Sequence, residues 1–79
     1  MTTQEQYSIV CENIRFLRQK HGLSRTAMAK RLHITLKNLD SLEADIFPER
    51  IHVGFFFHVH QAFGVPPRDL LIIRLSEQR

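Results

Sequence analysis

Between Arg15 and Lys37 the chain places seven cations (Arg15, Arg18, Lys20, Arg25, Lys30, Arg31 and Lys37) and no acid. Between Asp40 and Glu49 it places four acids and no cation. The net charge of +3 is modest, so the distribution is more informative than the sum. Cations gathered in one stretch raise a positive local potential, and the chemistry that suits it is contact with phosphates. The plain alternative is a solvated helix face carrying ordinary surface charge.

Other chemistry fits the residue spacing poorly. Five histidines suggest a metal, but His58 and His60 are two apart and would point about 200° from each other on a helix. His52 and His60 are two turns apart, too far for one ion. Cys11 has no acid–base partner nearby in sequence and reads as a small apolar residue. Neither a glycine-rich phosphate loop nor a pair of carboxylates at catalytic spacing occurs. No cofactor, no metal ion and no enzymatic activity are expected.

The elements that position the cations follow from local signals. Ser24 and Thr35 each suit the residue before a helix, where a hydroxyl accepts a hydrogen bond from an otherwise unpaired backbone N–H. Met28, Ala29 and Leu32 share one face of the first such helix, and Leu39 and Leu42 share one face of the second, Leu36 to Leu42. Ile34 plugs the turn between them, and Ala29 suits a close helix crossing. The stretch Leu23–Glu43 therefore predicts two short helices joined by a tight turn, a helix-turn-helix.

Upstream, residues 1–7 read as a polar, frayed segment, with Ser8 capping a helix that runs to about His21 and stops at Gly22. Val10, Ile14 and Leu17 form its inward stripe, and Arg18 falls on that stripe, where a guanidinium needs a partner. Downstream, 44–51 is a loop, because Pro48 keeps the preceding residue out of helical backbone. A fourth helix is expected from about His52 to Phe63 with Phe56, Val59, His60 and Phe63 on one face, stopped by Gly64. Pro67 suits the first position of a fifth helix, rich in Leu70, Leu71, Ile72, Ile73 and Leu75. The run Phe55–Phe57 spans too wide an arc to be wholly core.

The stretch Leu23–Glu43 resembles the helix-turn-helix of the phage repressor and Cro family, the XRE or lambda-repressor-like proteins. Ile14-Arg15-Phe16-Leu17-Arg18, Gly22-Leu23-Ser24, Leu42-Glu43, Phe63-Gly64-Val65 and Leu70-Leu71 extend the likeness to about three quarters of the chain. The resemblance implies an all-α, five-helix lambda-repressor-like bundle forming one domain over residues 1–79. It implies a sequence-specific DNA-binding transcriptional regulator of repressor type. The third helix would lie in the major groove of double-stranded DNA.

Carried over position by position, Leu36, Lys37, Asn38 and Ser41 would face bases, with Thr35 at the helix start, and Ser24, Arg25 and Thr26 would approach phosphates. Arg18 and Glu43 would form a structural ion pair. The chain departs from the family's pattern at His33, where glycine is commonest in a left-handed turn, at Leu36, where a polar residue is usual, and at Asp45, an acid in a loop that meets phosphate. Arg50 in that loop is a candidate to compensate. Phe16 replaces an exposed polar residue and reads as the edge of the core or a contact to another chain.

Seventy-nine residues set one domain near the lower limit for an unstapled core. A single cysteine excludes an intramolecular disulfide and points to a reducing compartment. With no secretory signal and no run of roughly 20 apolar residues, a cytoplasmic protein without membrane contact is expected. Phe55, Phe57, Leu71, Ile72, Ile73 and Leu75 exceed what so small a core buries. A homodimer with Leu71, Ile72, Ile73 and Leu75 at its interface is therefore expected. The alternative is an antitoxin-like or protein-interaction module of the same fold, with a protein partner and weak or no DNA binding.

Overall fold

Four of the described helices end on a residue with left-handed backbone, and the first three close in the same way. The computed structural model describes residues 2–48, 51 and 54–77. It contains five α-helices among them, with no strand: α1 (Thr3–Lys20), α2 (Arg25–Leu32), α3 (Leu36–Glu43), α4 (Phe55–Phe63) and α5 (Pro67–Ile72), followed by a 3-10 turn at Leu75–Glu77. The molecule is a small all-α bundle. None of the described helices is long and apolar enough to cross a membrane.

After α1, Gly22 has φ +63°, its N–H donates to Gln19 O at 3.1 Å, and Leu23 N–H donates to Arg18 O at 3.0 Å. After α2, His33 has φ 57°, and the N–H groups of His33 and Ile34 reach Lys30 O at 3.2 Å and Ala29 O at 3.1 Å. After α3, Asp45 has φ 64°, with Asp45 N–H on Leu42 O at 3.1 Å and Ile46 N–H on Ser41 O at 2.8 Å. Each is a Schellman closure, satisfying carbonyls that the helix itself leaves unpaired. Histidine and aspartate tolerate this backbone better than most side chains. Asp45 is thus explained by its turn, and its Oδ1 also accepts from Ser8 Oγ at 3.2 Å.

The start of α1 corrects the sequence reading. Residues 2–7 are not frayed and Ser8 is not the cap. Thr2 caps the helix, its hydroxyl accepting from Glu5 N–H at 3.1 Å while Glu5 Oε1 accepts from Thr2 N–H at 3.4 Å. This reciprocal box satisfies two donors at once. Tyr7, inside that first segment, stacks on Phe47 with ring centroids 4.4 Å apart, which ties the helix start to the loop after α3.

The expected start of α4 near His52 lies outside the described residues, as do Glu49 and Arg50. Of the expected inward face of α4, Val59 is borne out, Phe55 takes the central place expected of Phe56, and His60 is not on that face. Phe55 and Val59 are wholly buried, Phe56 and Phe63 lie at the margin of the core, and His60 is exposed. The fifth helix is shorter than expected, because Ile73 turns extended (φ −110°, ψ 128°) and Leu75 lies in the 3-10 turn.

Asn13 causes that ending. It is a fully buried polar residue on α1, and its Nδ2 donates to Leu70 O at 2.9 Å and Ile73 O at 2.7 Å. Its Oδ1 accepts from Leu75 N–H at 2.9 Å. One side chain thereby pairs backbone groups that α5 leaves open and fixes the exit of the chain. Beside it Glu12 pairs with Arg74.

Met28, Leu32, Leu39, Leu42, Phe55 and Leu70 fill the core between these helices. At its edge Arg18 crosses from α1 to α3. Its Nε donates to Glu43 Oε2 at 2.7 Å and its Nη2 to Glu43 Oε1 at 3.0 Å, and Nη1 donates to Leu23 O at 3.1 Å. The Glu43 side chain is only 5% exposed and that of Arg18 19%. Removing one partner of so dry a pair strands the other charge. Glu43→Ala is therefore expected to destabilise the fold by about 3 to 5 kcal/mol in urea melts, and the double variant Arg18→Met/Glu43→Leu by less. A single variant within about 0.5 kcal/mol of wild type would contradict a buried clamp.

Candidate functional site

The site to test is the outer side of α2 and α3. Both helices are eight residues long and are joined through residues 33–35, with left-handed His33 making the turn. Ser24 Oγ accepts from Ala27 N–H and Thr35 Oγ1 from Asn38 N–H, each at 3.1 Å. Both hydroxyls act as caps, which leaves each its own proton and a second lone pair for a ligand. The strain at His33 is offset by its ring, which stacks on His58 of α4 at 4.0 Å.

Burial divides α3 into two sides. Leu39 and Leu42 are fully buried, while Leu36, Lys37 and Asp40 are exposed. Leu36 is 45% exposed although it is a large apolar residue at a helix start. Asn38 and Ser41 are half-buried, and Ser41 Oγ donates back to Lys37 O at 3.2 Å. Leu36 and Lys37 are therefore the expected base-facing residues that stand furthest out; Ser41 stands less open than expected because its hydroxyl is engaged by its own helix. On α2, Arg25 and Thr26 are exposed in the first turn.

Arg25 is less independent than its position suggests. Its Nε lies 3.9 Å from Asp40 Oδ1 and 3.7 Å from Glu43 Oε1, so the guanidinium leans across from α2 onto α3. Arg15 Nη1 donates to the Glu43 backbone carbonyl at 3.3 Å. Sequence reasoning missed both contacts. They join residues 15 to 28 apart in the chain, for which no local spacing gives a signal, and the acid-free run from Arg15 to Lys37 concealed that its partners lie just beyond it.

The expected dimer residues do not form one open face. Leu71 and Leu75 pack against the core, Ile73 is half-buried, and Ile72 stands out at 42% exposure. Phe55 is buried and Phe57 exposed, which resolves the aromatic run. Among the described residues no three side chains of His, Cys, Asp or Glu are grouped to hold a metal ion. Compared with protein-family models, curated proteins and solved structures, the chain finds no match.

Cys11 is buried on α1 within the core. Burial first, then the Asp45 carboxylate, pushes its thiol from an ordinary 9.0 to about 11, with Arg15 opposing. A thiol so protonated is a poor nucleophile. Because the folded pKa is raised, the thiol's contribution to stability is complete below pH 9.0 and is lost as pH rises to about 11. At about 1.4 kcal/mol per pKa unit the full loss is about 3 kcal/mol. Denaturant melts of wild type and Cys11→Ala across this range should converge by about that amount; parallel curves would mean that the thiol titrates alike in both states.

Proposed function

We propose that this protein is a sequence-specific DNA-binding regulator, of repressor type and acting in the cytoplasm, that reads the major groove with α3. The observation that carries the reading is the outward side of α3, where Leu36 and Lys37 are exposed, together with the exposed Arg25 and Thr26 in the first turn of α2. Lys37 is suited to donate to guanine O6 and N7, and Leu36 to touch a thymine methyl. The start of α2, with Ser24, Arg25 and Thr26, suits phosphate, because the first N–H groups of a helix lack partners within it. The resemblance to the repressor and Cro family supports the same arrangement. Asp40 opposes it locally, and its contact with Arg25 is an exposed one, weak enough for a phosphate to replace.

Lys37→Ala should relax preference at one base pair, by about 1 to 3 kcal/mol, whereas Arg25→Ala should weaken binding to all sequences and flatten the salt dependence. Site selection from random DNA followed by titration at several salt concentrations reads both. An unchanged ranking of sites for Lys37→Ala would remove it from the base-reading role.

A second reading rests on exposed apolar residues. Leu36, and Phe57 at 58% exposure, suit a protein partner, as in an antitoxin-like or interaction module. Absence of any salt-dependent DNA binding would favour it. In the DNA reading two copies would bind two half-sites about one helical turn apart. Ile72, the outstanding apolar residue of α5, is then the residue to test. Ile72→Asp should shift sedimentation toward monomer with helix content unchanged; a wild type that sediments as monomer at high micromolar concentration without DNA would exclude this interface.

A further inference from the structure

A cleft of about 330 Å³ opens at the end of α1. Phe16, Phe63, Val65 and Leu75 make its walls, and Lys20 and His21 stand at its mouth. Its volume is at the small end of the roughly 300 to 1,000 Å³ of ligand pockets, which suits a ligand of one or two rings. No residue of α2 or α3 lines it, so it is independent of the nucleic-acid reading.

The lining selects one class of ligand. Two phenyl rings offer flat apolar walls, and His21 lies tilted against Phe63 at 5.0 Å, so the aromatic surface reaches the mouth. Flat aromatic ligands pair well with such rings. Among the described residues no acid lines the cleft, and the Lys20 ammonium stands 5.8 Å over the Phe16 ring. A cationic ligand would meet Lys20 where that ammonium already occupies the ring face. A wholly apolar ligand would use the rings and gain nothing from the Lys20 ammonium, which water already solvates. A carboxylate at the mouth, with its ring against Phe16 and Phe63, satisfies both surfaces. We propose that this cleft is a binding site for a small aromatic carboxylate.

Naphthoate and its neutral analogue naphthalenemethanol test this on the intact chain by two-dimensional amide NMR. Naphthoate should shift resonances of residues 16–21 and 63–65 selectively and bind more tightly than the alcohol. Lys20→Met, an exposed change, should weaken naphthoate about two- to fivefold, the size of one exposed ion pair, and leave the alcohol unaffected, and Lys20→Arg should restore it. Equal affinity for acid and alcohol, shifts scattered over the surface, or no shift at millimolar probe would each overturn the proposal.

Discussion

The carboxylate of Glu43 is the constraint on which the arrangement of the first three helices depends. It is the last residue of α3, where the helix dipole is negative and favours a cation, and it is almost withdrawn from water. A lone carboxylate there would be strongly unfavourable. Arg18 answers it with two parallel hydrogen bonds, a geometry that fixes direction as well as distance. Its Nη1 donates to Leu23 O, in the connection that leads into α2. One guanidinium therefore ties α1, the entry to α2 and the end of α3 together. The orientation of α3, and hence which of its residues face outward at its start, follows from a charge pair at its other end.

The second fixed point is Asn13, at the far side of α1. A helix of six residues has almost as many unpaired backbone groups as paired ones, so α5 needs an external partner to persist. An amide is suited to this, offering donors and an acceptor from one rigid plane. Substituting a carboxylate would remove the donors, and an aliphatic residue would leave buried carbonyls unpaired. α1 thus carries a charged clamp on one side and a neutral one on the other, while Ile14 and Leu17 between them fill the core.

Local chemistry was legible in the sequence, and chemistry acting across the chain was not. Ser24 and Thr35 as caps, Gly22 and Gly64 as stops, Pro67 at a first helical position and His33 in left-handed backbone all follow from a residue and its neighbours. The start of α1 was misread although its box is local, because a polar composition over residues 2–7 was given more weight than the Thr2–Glu5 spacing. On α4, Val59 was legible as core, but three consecutive phenylalanines leave the phase of a helix undetermined, and packing chose Phe55 over Phe56. The lean of Arg25 onto Asp40 and the role of Asn13 required the folded chain.

The cationic run from Arg15 to Lys37 also divides once its side chains are placed. Arg18 is committed to the clamp, Arg15 donates to the Glu43 carbonyl, Lys20 lies over Phe16, and Arg25 is drawn toward two carboxylates. Among the described residues Lys30, Arg31 and Lys37 have no carboxylate within ion-pair distance. The run therefore overstates the charge that a phosphate would meet at first approach. Yet these commitments are unequal in strength. The Arg18 pair is nearly dry and holds, whereas the Arg25–Asp40 contact is long and solvated, and screening by salt weakens such pairs first. In the proposed function, Arg25 would exchange Asp40 for phosphate at little cost. Asp40 would then be left beside the bound backbone as a charge that limits how tightly any sequence is held.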